Sequence, residues 1–239
     1  MGQYRNVEID GEALSVYIEL PASLPAPVVV VLHEVFGVNN DMRTSCQELA
    51  NRGFIAIAPD LFWRQEPGLD LSHWTPGEWE KGLALYNAYD RDLGASDIDR
   101  VVQFSKSIEE STGKVAVMGY CLGGLMTYLV SARFGVDASV AYYPGSAEQY
   151  LAQAKSVTNP MLVHLAEEDE FISKDAQTQI NKAFSLNPNI TVFSYAGCSH
   201  AFARHTGTHY DASAAELANG RTWQFLAASL KATSSADLS

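Results

Sequence analysis

Apolar and polar residues alternate across positions 7–20, with Asp10-Gly11 at the centre. An Asp-Gly pair supplies the positive φ angles of a tight turn, so this stretch predicts a β-hairpin. After Pro27 the pattern changes. Positions 28–32 are wholly apolar and rich in β-branched residues, as expected of a strand buried on both faces. Similar runs recur at 54–58, 115–118, 138–142, 161–165 and 190–195. Helical spacing fills the gaps at 42–52, 94–107, 122–134, 175–186 and 212–230. Strands alternating with helices predict an α/β domain, a mostly parallel sheet covered on both faces. In such sheets the chemistry sits at the carboxyl ends of the strands.

Reactive residues fall at those ends. The string Val115-Ala116-Val117-Met118-Gly119-Tyr120-Cys121-Leu122-Gly123-Gly124 reads as a strand, then Gly-x-Cys-x-Gly-Gly, then a helix. This is the nucleophile-elbow pattern with cysteine in place of serine. The turn is sharp, and side chains at its glycines would strike the adjoining strand and helix. It sets the Cys121 sulfur beside a helix N-terminus, where the dipole and free N–H groups favour negative charge. A packing cysteine at a glycine-rich junction is the plainer account of the same string.

Asp169 and His200 weigh against that plainer account. Asp169 follows the run at 161–165 and His200 the run at 190–195, giving the order nucleophile, acid, histidine. An imidazole takes up the thiol proton and later passes it to the leaving oxygen, while the carboxylate fixes its tautomer. Taken singly, Asp169 also reads as a turn acid, with Glu167, Glu168 and Glu170 as competitors, and His200 as a polar loop residue.

Leu32-His33-Glu34-Val35-Phe36-Gly37 follows the first buried strand. A loop there donates one backbone N–H to an oxyanion hole and the residue after the nucleophile donates the other, which selects Val35 and Leu122. Glu34 is unexpected beside a site that stabilises negative charge. It makes sense as a group that exchanges a proton with Cys121; the alternative is a solvated loop acid.

Composition narrows the remaining classes. With 239 residues the chain suits one domain, assigned here to 1–239 with a frayed tail at 233–239. Sixteen Lys and Arg against 28 Asp and Glu give a formal charge of −12, which disfavours nucleic acid and anionic membranes as partners. An anionic substrate then needs a local cationic anchor. No run reaches the roughly 18 apolar residues of a membrane span, and the N-terminus lacks signal-peptide features. Three cysteines (Cys46, Cys121 and Cys198) have no framework spacing, so they read as free thiols in a cytoplasmic protein. Cys46 and Cys198 read as packing residues. His200, His205 and His209 lack a metal-binding signature, so no metal is expected.

These pieces together resemble the dienelactone hydrolase (carboxymethylenebutenolidase) family. The matching strings are Leu32-His33-Glu34-Val35-Phe36-Gly37-Val38-Asn39, Pro59-Asp60-Leu61-Phe62, Gly119-Tyr120-Cys121-Leu122-Gly123-Gly124 and His200-Ala201-Phe202-Ala203-Arg204. The resemblance implies an α/β-hydrolase fold and a monomer without cofactor or metal. The implied reaction opens an enol lactone, dienelactone, to maleylacetate through a thioester acyl-enzyme, in aromatic-compound degradation. It also implies that the resting thiol is bonded to Glu34 and that an anionic substrate rearranges this carboxylate to form the thiolate. Arg204 would hold the substrate carboxylate, with Phe36 and Tyr120 also lining the substrate site. Trp79 stands where the family carries a second arginine. That departure leaves room for other esters or thioesters, with Trp74 and Trp79 either lining an apolar pocket or packing as core. A ligand-binding protein that turns nothing over is the reading from another class, though no part of the triad is missing.

Overall fold

Asp10 and Gly11 turn the chain with φ of 53° and 86°, and the strands on either side, β1 (Gln3–Ile9) and β2 (Glu12–Glu19), pair antiparallel. This hairpin opens a computed structural model that describes residues 2–231; the tail expected at 233–239 lies outside the described residues. The apolar runs become β3 (Ala26–Leu32), β4 (Ile55–Pro59), β5 (Ser111–Tyr120), β6 (Ala138–Tyr142), β7 (Met161–Ala166) and β8 (Ile190–Tyr195). β3, β4, β6 and β7 are buried along their whole length, which is why they read as continuous apolar runs rather than alternating ones. All eight strands form one sheet in the order β1-β2-β4-β3-β5-β6-β7-β8. Pairing is parallel from β4 through β8, and β2 joins β4 antiparallel. The fold is the α/β-hydrolase fold with an N-terminal hairpin.

Helices α1 (Asn40–Asn51), α3 (Arg91–Ser107), α4 (Leu122–Arg133), α5 (Lys174–Phe184) and α6 (Ala212–Leu230) fall on the five predicted segments. α3 and α4 pack on each other and on β3 and β5; α1 contacts β2, β3 and β4, α6 contacts β5, β6 and β7, and Arg52, just past α1, is stacked 4.5 Å over the Trp223 ring of α6. Side chains cap the starts: Asn39, Asp90, Ser173 and Asp211 each accept a backbone N–H from the first turn that follows.

Two elements carry no clear periodic signal: α2 (Pro76–Ala88) and a 3-10 segment, Ala147–Ser156. α2 buries only Gly82. Its start is nevertheless written in the sequence as a capping box: Thr75 Oγ1 accepts from Glu78 N–H at 3.3 Å and donates to the Glu78 carboxylate at 2.6 Å, with Pro76 at the first turn. Two bonds from Ser72, from its hydroxyl and its N–H, and the one from the Thr75 hydroxyl hold the Glu78 carboxyl at a pKa of about 2. No helix among the described residues is long and apolar enough to cross a membrane.

Candidate active site

β5 ends at Tyr120 and α4 begins at Leu122, so a single residue makes the corner. That residue is Cys121, with φ 53° and ψ −112°. A side chain other than glycine at such angles stores strain, and strain of this kind collects where geometry serves chemistry. The corner is clamped from two sides: Cys121 N–H donates to Tyr142 O on β6 at 3.1 Å, and Gly123 N–H donates to His33 O past β3 at 3.1 Å. Only glycine allows this closeness. A Cβ on Gly119 would lie 2.3 Å from Gly123 O, and one on Gly123 would lie 2.1 Å from Leu32 O. The clamp brings the segment after β3 against the start of α4. His33 fixes the same segment: its Nε2 accepts from Leu61 N–H at 2.9 Å while Nδ1 donates to Glu34 O.

The loop after β7 carries Asp169 and the loop after β8 carries His200; Nδ1 of His200 donates to Asp169 Oδ2 at 2.8 Å. Asp169 Oδ1 accepts from Phe171 and Ile172 N–H, so the carboxylate is held from both oxygens. The three competing acids go elsewhere. Glu168 pairs with Lys174, Glu170 accepts from His200 N–H, and the Glu167 backbone carbonyl caps Lys174 and Gln177. His200 Nε2 is buried with no nitrogen or oxygen partner. Burial works against the imidazolium, but the adjacent Cys121 sulfur and the Asp169 carboxylate outweigh it and hold the His200 pKa well above its ordinary value. Tyr143 supports the ring from below, 4.8 Å away, in a backbone conformation of φ 36°.

Glu34 and Arg204, 170 residues apart, form a buried ion pair: Nη1 donates to Oε2 at 3.0 Å. The resemblance implied a carboxylate bonded to the resting thiol; here it is bonded to the guanidinium, and its Oε1 is buried without a partner. Burial opposes the Arg204 charge, yet Glu34 raises its pKa further. Arg204 Nε donates to Thr206 O at 3.1 Å, and the Thr206 hydroxyl is seated on Asp41 at 3.0 Å. Phe36 lies beneath the guanidinium, 5.5 Å from ring centre to carbon.

Cys121, His200, Glu34 and Arg204 all line one cavity of about 230 Å³. Phe36 and Trp79 are in its wall, as are Leu83, Tyr86, Ser146 and Phe171, which sequence reasoning did not single out. Phe171 had a signal in its position two residues past Asp169; Ser146, at φ 67°, had none. Trp74 is 62% exposed, so of the two tryptophans only Trp79 faces the cavity. Tyr120 departs from expectation. Its side chain points to a second, much smaller cavity behind the ion pair, with Ser45, Tyr143 and His205, because successive strand residues alternate faces and Cys121 takes the outer side. His205 and His209 do not converge with His200 on a common point: His205 meets Ser45, and His209 donates to the His200 carbonyl. Cys46 and Cys198 are buried, and burial raises both thiol pKa values.

A cysteine on the corner after the central strand, with an acid and a histidine at the ends of later strands, matches the layout of α/β hydrolases, and this chain is a hydrolase. Its sequence narrows the class. The model of the dienelactone hydrolase family matches residues 14–230, and the chain belongs to that family. A carboxymethylenebutenolidase of Pseudomonas putida is 37% identical over 218 residues, covering 91% of this chain and 92% of the relative. A candidate carboxymethylenebutenolidase of Azospirillum brasilense is 40% identical over 217 residues, covering 90% and 94%. Among solved structures, a dienelactone hydrolase-like promiscuous phosphotriesterase from metagenomic libraries superposes with a TM-score of 0.79 at 19% identity, over 96% of this chain and 98% of its own.

Proposed function

We propose that the protein opens the ester bond of a small anionic enol lactone of the dienelactone type, giving the open-chain oxo acid, maleylacetate. The observation that carries this reading is the placing of the Glu34–Arg204 pair in the same cavity as Cys121 and the His200–Asp169 pair. A guanidinium binds one carboxylate well in a bidentate manner, so a substrate carboxylate competes with Glu34 for Arg204. Glu34, displaced into a buried site, takes the Cys121 thiol proton. The thiolate attacks the lactone carbonyl, and the oxyanion is met by the N–H groups of Val35 and Leu122. The ring C–O bond breaks as His200, an imidazolium, gives its proton to the leaving enol oxygen. Neutral His200 then takes a proton from water, whose oxygen attacks the thioester and expels the thiolate. As product leaves Arg204, Glu34 returns its proton to sulfur and pairs with the guanidinium again. The site keeps a thiol until an anion arrives, which limits oxidation of the nucleophile.

The test is turnover of cis- and trans-dienelactone beside a neutral aryl acetate, using wild type and Cys121→Ala. Efficient lactone turnover with little on the acetate, abolished in the variant, supports the reading. Preference for the acetate moves the protein to a general esterase with the same nucleophile, and near-normal turnover by Cys121→Ala removes the nucleophile altogether.

A further inference from the structure

The weak amphipathic pattern of α2 has a structural cause that bears on the substrate. Trp79, Leu83 and Tyr86 fall at i, i+4 and i+7, on one face of that helix, and all three line the catalytic cavity. A helix normally spends such a stripe on the core. α2 spends it on a cavity wall, and its single buried residue, Gly82, is small enough to rest on Val35 O, which a Cβ there would approach to 2.6 Å. The polar atoms of the stripe are already engaged within the protein. Trp79 Nε1 donates to His73 O at 2.8 Å, and the Tyr86 hydroxyl pairs with Ser146 Oγ at 2.9 Å. Both rings therefore present carbon to the cavity. Phe36 meets the indole edge-on at 4.9 Å, while Leu83 and Phe171 remain 39% and 54% exposed at the cavity's edge. Large apolar groups left wet around a catalytic cavity are area for a ligand to cover. Among the described residues lining it, Arg204 is the one Arg or Lys, a seat for a carboxylate, and Glu34 is already paired with it.

We infer that the site takes a monocarboxylate ester or lactone bearing a flat apolar flank, aryl or its equivalent, that packs on the Trp79-Leu83-Tyr86 face of α2 while the carboxylate goes to Arg204. This rests on the proposed catalytic cavity but makes a separate claim about what fills it. The binding test needs no turnover: calorimetric titration of 3-phenylpropanoate and propanoate into the wild-type protein. Burying a phenyl group against this wall should tighten binding by roughly tenfold or more. Trp79→Ala and, as a milder surface change, Leu83→Gln should each reduce that ratio to below about threefold. The kinetic companion is kcat/KM for benzyl against methyl hydrogen succinate, whose alcohols differ little as leaving groups; the same tenfold preference, lost in the same variants, is expected. Equal binding of the two acids, or a ratio that survives both α2 variants, overturns the inference whatever the turnover. Tight, α2-dependent binding of phenylpropanoate with no hydrolysis of either ester or of dienelactone upholds the wall and sinks the catalytic reading instead.

Discussion

Stability should depend on pH through His164, a histidine the chemistry does not use. It lies on β7, fully buried, with Nδ1 against Tyr195 Oη at 2.8 Å and Nε2 against Thr222 Oγ1 at 3.0 Å. Burial, helped by the Arg221 charge, lowers its pKa from 6.5 to about 3. The folded ring is therefore neutral across the working range, whereas the unfolded ring takes a proton below about 6.5. Its contribution is fully present above that value and is lost as pH falls toward 3, at up to about 1.4 kcal/mol per pH unit. Between pH 7 and pH 5 the loss comes to about 2 kcal/mol. His200 titrates with the opposite sign, its folded pKa being raised, so it adds stability below 6.5 that is lost as pH rises. Wild type alone would mix the two. Urea unfolding at pH 7 and pH 5, on wild type and His164→Gln, isolates the first: wild type should lose about 2 kcal/mol more than the variant over that interval. The variant is expected to be less stable at pH 7, since it cannot reproduce both ring bonds, and that offset does not enter the difference. Equal pH dependence in the two proteins would refute the argument.

Gly123→Ala should be severe, because the added methyl meets backbone oxygens of Leu32 and His33 at 2.1 and 2.8 Å that cannot swing away; thermal unfolding should report a loss of several kcal/mol or no soluble protein. Gly220→Ala is its control, in α6 with nothing within 4 Å of the new Cβ, and should gain about 0.5–1 kcal/mol. Glu34→Gln removes the proposed thiol base: carboxylate ligands should no longer accelerate iodoacetamide alkylation of Cys121, and kcat should fall by about 10²-fold or more, whereas unchanged alkylation would dismiss its role. Arg204→Ala should cut kcat/KM for a carboxylate-bearing lactone by about 10²-fold and leave a neutral acetate within about threefold; equal loss on both would make Arg204 structural.

How much of this was readable in advance followed the physics of each element. Strands buried on both faces must be apolar throughout, so β3, β4, β6 and β7 announced themselves within a residue or two. The corner at Cys121 was legible because the close approaches at Gly119 and Gly123 admit only glycine, and glycine leaves a visible string. α2 was not, because its apolar face lines a cavity instead of the core and its sequence is diluted by Gly77 and Gly82. The 3-10 segment has a kink at Tyr150 and so no single period to detect. Asp169 could be ranked above its neighbouring acids only by the loop that turns it toward His200. The Glu34–Arg204 bond joins residues at opposite ends of the chain, and no spacing rule reaches that far.

That bond decides how recognition and activation are related in the proposed chemistry. A buried carboxylate paired with a guanidinium makes a poor permanent base, since the pairing is what keeps Glu34 charged away from water. Asp41 lies on the far side of Arg204, through Thr206, so the resting group already holds two carboxylates to one guanidinium. A third carboxylate, brought by substrate, cannot be accommodated as charge at so low a cost as a proton taken onto Glu34. Cys121 carries an ionisable hydrogen in the same cavity. In that proposal Arg204 does two things with one set of N–H groups: it recognises the anion, and by giving up Glu34 it moves the proton whose departure makes the nucleophile. A neutral ester, bringing no anion, would leave the pair undisturbed, so on this proposal discrimination between the two substrate classes falls on kcat more than on KM.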